Sequence, residues 1–242
     1  MGLFNFSRKL TDEQLRRISL SAQYQYQQGG NHFTLSSNIG SRAKVFLQQG
    51  WSIADRQELC NTIEKLLGRC RALDIAVIKE EIMAEVQEDS AINTEVRRIW
   101  SMARIADKHY IAQAKDLSDL LNMLTNYIDA QDALIANQLI SSWDAITSKD
   151  IIAWDIGRAA YLVRVGVEMK YLKADEAWEY LEQAYQRAIR IFQSWEEFGR
   201  SYIIGRSFWA SYPEERDVLG FCNVIKWLMK HPESPWLKVK LK

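Results

Sequence analysis

Two helical patterns in this 242-residue chain carry charge where apolar residues belong. At about 100° per residue, residues 149–170 place Ile151, Asp155, Arg158, Leu162, Val165 and Met169 on one stripe. Lys149, Asp150, Arg164 and Glu168 fall opposite and read as the solvent side. Asp155 and Arg158 stand one turn apart on the apolar stripe, within pairing distance. Residues 195–210 repeat the theme. Trp195, Phe198, Tyr202, Gly205 and Trp209 form the apolar face, with Arg206 among them. Two guanidiniums and one carboxylate therefore point inward amid tryptophans. A buried charge needs a partner, and one aspartate cannot neutralise two arginines. A further acid or a bound anion is expected to complete the set. Asp155, Arg158, Arg206, Trp154, Trp195 and Trp209 are thus read as a buried polar cluster that locks helices together, with an anion pocket as the alternative. Asp155 is expected to accept hydrogen bonds from Arg158, Arg206 or both.

Catalytic signatures are missing. There is no phosphate-binding glycine loop, no G-x-S-x-G and no H-E-x-x-H. His32, His109 and His231 lie far apart in sequence and have no nearby cysteine, so no metal site is expected. A Cys60–His109 pair is conceivable, but a packed thiol and a surface imidazole is the simpler reading. No catalytic residue and no cofactor are expected.

The elements that must position these residues are helices. Hydrophobic residues make up 48% of the chain and charged residues 26%, which suits a globular core. Three prolines and 11 glycines are too few for the turns of a sandwich or barrel. Thr11-Asp12-Glu13-Gln14 is a capping box that opens a helix to Gln28, ended by Gly29-Gly30. A short helix over 43–49 stops at Gly50. Ser52 to Asp55 caps the next, which reaches Leu67 before Gly68. A helix follows over 69–86, whose acidic run from Glu80 to Asp89 reads as a solvated face. Residues 91–142 hold two or three helices. Thr147-Ser148 caps residues 149–170, Asp175 opens a helix to Phe192, and Ser194 caps 195–210. Pro213 suits a first helical turn, and a last helix runs to Lys230. His231-Pro232 stops it, and the tail from Pro235 reads as an edge strand or a disordered end. The expected fold is all-α: one compact domain of eight to ten helices over 1–242, the last four around the charged cluster. Within it, 1–50 is an extension, 51–231 the core and 232–242 a tail, with a sub-boundary near 147.

The charge balance is 31 against 31, which gives no general pull toward nucleic acid or anionic membrane. It hides an asymmetry: residues 107–155 hold eight aspartates and three lysines, with no arginine or glutamate. Solvated helix faces account for most of them. The sharper reading is an acidic surface, with Asp116, Asp119, Asp129 and Asp132 as partner contacts. Three cysteines, Cys60, Cys70 and Cys222, without tight spacing suggest free thiols in a reducing compartment. With no signal peptide and no spanning segment, the expected address is the cytoplasm.

Ala153-Trp154-Asp155-Ile156-Gly157-Arg158, Asp175-Glu176-Ala177-Trp178, Ser194-Trp195-Glu196-Glu197-Phe198 and Gly205-Arg206-Ser207-Phe208-Trp209 resemble the bacterial domain of unknown function 1266, the family of YbeU/YbeR-like enterobacterial proteins. The resemblance covers about residues 50–210. It implies a bacterial cytoplasmic helical domain and transfers no catalytic residue. It also implies an association with secreted polymorphic toxins. The functional expectation is a non-enzymatic immunity protein that occludes the active site of a cognate protein toxin, such as a nuclease. The alternative is an enzyme or sensor that binds an anionic small molecule at Arg158 and Arg206.

Overall fold

The computed structural model describes residues 9–68, 114–142, 146–209 and 215–242. The fold is all-α, and no strand occurs among the described residues. The helices are α1 (Asp12–Ile18), α2 (Ala22–Gln28), α3 (Arg42–Trp51), α4 (Arg56–Leu67), α5 (Ala114–Ala136), α6 (Ile152–Glu168), α7 (Ala174–Ile191), α8 (Trp195–Ser207), α9 (Glu215–Lys230) and α10 (Pro235–Lys238). The chain forms two units. The first comprises Met1–Gly68, Asp155–Gly199 and Asn223–Lys242; the second comprises Arg69–Trp154 and Arg200–Cys222. The helices expected over 69–86 and between 91 and 113, the cysteine at 70, the histidine at 109 and the proline at 213 lie outside the described residues.

In the first unit the caps decide where helices begin. Thr11 Oγ1 accepts from Gln14 N at 3.2 Å, and Gln14 Oε1 accepts from Thr11 N at 3.1 Å. The capping box read from sequence is therefore present. The first helix is not continuous to Gln28, however. A 3-10 turn, Ser19–Ser21, interrupts it, where Ser19 Oγ donates to Leu15 O and Ser21 Oγ to Ile18 O. Such back-bonding competes with the helical ladder and bends it. Gly29 ends α2 with φ at 64°, the left-handed turn for which glycine has no steric penalty. Gly50 does not stop α3; the helix runs one residue beyond it, and Ser52 turns left-handed at φ 54°. Asp55 caps α4 by accepting from Glu58 N at 2.9 Å. Asp175 does not cap α7: it sits inside the first turn, and Glu176 Oε2 reaches back to Lys173 N at 2.9 Å. Ser194 does cap α8, accepting from Glu197 N at 3.2 Å.

α1 packs against α7 and α10, and α4 packs against α7. The tail is neither an edge strand nor loose. Pro235 opens α10, and Trp236, Val239 and Leu241 are all buried. The Trp236 ring stacks on Trp195 at 5.1 Å, and its Nε1 donates to Ser19 O at 2.9 Å. Trp195 Nε1 donates to Val239 O at 2.8 Å, Arg16 Nε to Lys240 O at 2.8 Å, and Tyr185 Oη to Leu241 O at 2.9 Å. Alternation of lysine with apolar residues resembles a strand; what it encodes here is a chain with one side pressed into the core.

In the second unit, α5 buries Met123, Tyr127, Ala130, Ala133 and Leu134, and Tyr127 stacks on Phe208 at 4.5 Å. α8 comes so close to residues 151–154 that only glycine fits at position 205. A Cβ there would lie 2.3 Å from Ile151 O and 2.6 Å from Trp154 Cβ. Gly205→Ala is predicted to cost about 1–3 kcal/mol in urea unfolding, the scale of overpacking. Gly50→Ala is the matched control. A Cβ there meets nothing within 4 Å, and the gain in helix propensity predicts about 0.5–1 kcal/mol of stabilisation.

Candidate functional site

Asp155 and Arg158 are both buried on α6, 5% and 6% exposed. They form an ion pair one turn apart, Arg158 Nη2 to Asp155 Oδ1. The guanidinium also lies over the Trp51 ring, 5.4 Å from its centroid. Trp51 closes α3, so this pair ties two helices of the first unit and gives the aspartate the arginine partner expected from sequence. In the second unit, half-buried Arg206 sits over Trp154 at 5.3 Å and Phe221 at 5.4 Å. Trp154 stands edge-on to Tyr202. Cation–π contacts therefore serve both arginines. Arg206 Nη1 is buried with no hydrogen-bond partner among the described residues. Trp195 belongs to the tail packing, and half-buried Trp209 donates its backbone N–H to Arg206 O at 2.9 Å.

Sequence projection misplaced Arg164. The helical pattern puts it on the solvent side, yet it is fully buried. The residues between Gly29 and Gly40 form a loop over this side of α6 and supply its partners. Arg164 Nη1 donates to Ser21 Oγ at 2.9 Å; Nη2 donates to the carbonyls of Asn31, Thr34 (2.9 Å) and Ser36 (3.4 Å). One turn on, Glu168 holds the other end of the loop. It accepts from Ser37 Oγ, from Ile39 N at 3.1 Å and from Gly40 N at 2.6 Å. Burial pulls the Arg164 guanidinium down to about 9, while Tyr161 and Glu168 act in the opposite direction. It remains a cation at neutral pH. Only spacing hinted at this site: Arg164 and Glu168 stand at i,i+4 on a helix with little other charge on that face.

The acidic residues proposed as contacts lie along α5. Asp129 and Asp132 are exposed, opposite the buried Met123, Tyr127 and Ala130. The side chains of Asp116 and Asp119, and the acidic run of 80–89, lie outside the described residues. Cys60 and Cys222 are buried, and neither forms a disulfide among the described residues. Among the described residues no His, Cys, Asp or Glu group could hold a metal ion, and no helix is long and apolar enough to cross a membrane.

Two predictions follow from these internal charges. Asp155→Ala leaves Arg158 buried without its carboxylate. It should lose roughly 3–5 kcal/mol in urea unfolding, the scale for breaking a buried pair; wild-type stability would exclude a structural role for the pair. The second concerns His32, whose imidazole is held down to about 4 by burial and then by Arg164. The unfolded chain takes up this proton near pH 6.5, and the folded chain does so only near pH 4. Stability is therefore lost as pH falls through that window. Between pH 7 and 5 the loss assigned to His32 is about 1–2 kcal/mol. His32→Gln should remove that share, measured by urea unfolding at both pH values; an unchanged pH dependence would refute the assignment.

Comparison with known proteins agrees with the family read from the motifs. YbeR of Escherichia coli (strain K12), an uncharacterized protein, is 22% identical over 169 residues, 70% of this chain and 58% of that protein. YbeU of the same strain, also uncharacterized, is 38% identical over 61 residues, 25% of this chain and 26% of that protein. The chain thus spans less than two thirds of the length of either relative. No solved structure is a significant match. The family model described as Protein of unknown function (DUF1266) matches residues 46–241, most of the chain, and the protein belongs to that family.

Proposed function

We propose that the protein is a non-enzymatic binding protein, an immunity protein that neutralises a cognate bacterial toxin in the cytoplasm by covering its active site. The observation that carries this reading is the placement of Asp129 and Asp132. They stand at i,i+3 on one exposed face of α5, whose opposite face is buried, and neither is in an ion pair among the described residues. The charges inside the first unit are occupied differently. Arg158 pairs with Asp155, and Arg164 is bound to a hydroxyl and carbonyls. The interior charges hold the fold, and the exposed aspartates are left for a partner. A toxin that acts on nucleic acid is basic around its active site. An acidic helix face would steer such a partner and fix its register.

The test is association with the toxin encoded beside the protein in its native host. Charge reversal of Asp116, Asp119, Asp129 and Asp132 to lysine should weaken binding at least tenfold at low salt, mostly through a slower on-rate. Wild-type binding should itself weaken as salt rises. Binding that survives reversal of all four residues would exclude the acidic face as the contact.

A further inference from the structure

We propose that an open cleft of the first unit, between the loop after α2 and the C-terminal end of α9, docks a peptide segment of a partner protein that carries an aromatic residue flanked by charges of both signs. The cleft has a volume of about 710 Å³, and its walls include His32, Phe33, Asn38, Trp227, Glu233 and Lys238. Trp227 is the centre of an aromatic wall. Tyr26 packs on it at 4.8 Å, His231 stacks on it at 4.7 Å, and His32 lies at 5.8 Å. Such a wall receives a planar side chain by offset stacking or edge contact.

Polar groups in the cleft await partners. Glu233 and Lys238 are both exposed, and neither side chain makes an ion pair or hydrogen bond among the described residues. They offer one negative and one positive handle on the same cleft. His32 Nδ1 is buried behind the wall and has no hydrogen-bond partner among the described residues. The apolar surface does not end at the rim. Tyr26 and Phe33, two of the six exposed large hydrophobic side chains among the described residues, lie here at 40% and 42% exposure. Tyr26 touches Trp227, and Phe33 lines the cleft. Grouped exposed apolar residues mark interaction sites, whereas single ones are ordinary.

The occupant follows from the shape. Sites for small molecules enclose 70–90% of the ligand's surface. This cleft is open to solvent and carries an aromatic wall and a charged pair along one surface, so a longer ligand covers it better. A segment of chain can lay its aromatic residue on Trp227 and reach Glu233 and Lys238 with flanking charges, the usual division of labour in peptide recognition. The loop wall is held in place beforehand, because Arg164 and Glu168 hold its carbonyls and N–H groups. Preorganisation of this kind lowers the entropic cost of binding. The cleft and the Asp129/Asp132 face lie in different units, so either reading can fail without the other.

Two capped pentapeptides serve as probes: acetyl-Lys-Gly-Phe-Gly-Glu-amide and its charge-reversed order, acetyl-Glu-Gly-Phe-Gly-Lys-amide. The readout is the Trp indole N–H spectrum of the full chain. Trp236, bonded to Ser19 O, acts as the internal fold control. One order should shift the Trp227 signal saturably at millimolar concentration, at least fivefold more tightly than the other, with Trp236 unmoved. Glu233→Lys combined with Lys238→Glu should invert that preference, since both side chains are exposed and the fold control reports any damage. The proposal is overturned if neither peptide shifts Trp227, or if serine in place of phenylalanine binds equally well. An unchanged preference in the swapped variant overturns it too. So does acetyl-phenylalanine-amide binding as tightly as the peptides, which would make the cleft a small-molecule pocket. A Trp227 shift on dilution without peptide would assign the face to a second copy of the chain and also overturn it.

Discussion

The first unit is organised around one buried cation. Arg164 is fully enclosed, and no carboxylate among the described residues hydrogen-bonds to it; Glu168, one turn on, binds the loop instead. Taking a guanidinium out of water costs several kcal/mol unless hydrogen bonds replace the lost hydration. Here the replacement comes from main-chain carbonyls of Asn31, Thr34 and Ser36 and from the hydroxyl of Ser21. The dependence runs both ways. A loop without regular structure has carbonyls that need donors, and a buried arginine has five N–H groups to give. Each meets most of the other's need, although Arg164 Nε has no hydrogen-bond partner among the described residues, and the geometry of the loop follows from that exchange.

Much else in the first unit is arranged to make the exchange feasible. Gly29 turns the chain left-handed so that the loop can start. Gln25 Nε2 binds Ser37 O at 2.5 Å, and Ser37 N binds Arg164 O at 3.3 Å, which closes the loop on itself and on α6. The 3-10 turn at Ser19–Ser21 brings the Ser21 hydroxyl to the guanidinium and leaves Ser19 O for Trp236. The C-terminal tail is therefore fastened to the same bend that serves Arg164. Residues 9–45 precede the stretch matched by the family model, yet they supply these contacts to helices within it.

The charges divide by location. Those inside, Asp155, Arg158 and Arg164, act between elements: α6 to α3 through Trp51, and α6 to the loop. Those outside, Asp129 and Asp132 on α5, and Glu233 and Lys238 beside Trp227, bind nothing among the described residues and face water. A buried pair gives little net stability, but losing one member is costly. The inner set therefore tolerates little change, whereas the outer set can change at little cost to the fold.

The fold class, most helix starts and the Asp155–Arg158 pair were legible in the sequence, because each depends on residues a few positions apart. Thr11 with Gln14, Asp55 with Glu58, and Ser194 with Glu197 are local exchanges that the chain carries wherever it folds. Asp155 and Arg158 lie on an apolar stripe, so their burial and mutual pairing followed from periodicity. Arg164 followed the same periodicity to the wrong side. A helical projection sorts residues by polarity and has no knowledge of a loop, 130 residues away, that brings carbonyls to a polar face. The tail departs from its local pattern for the same reason: alternation suits a strand, but Trp195 and Ser19, distant in sequence, supply its partners. The cleft beside Trp227 joins positions near 30 and near 230, and no local pattern announces it. What the sequence by itself determined were interactions closed within a turn or two of helix. Tertiary structure alone decided which polar groups met across the chain, because a buried charge is satisfied by whatever acceptors the fold delivers, and those are set by packing.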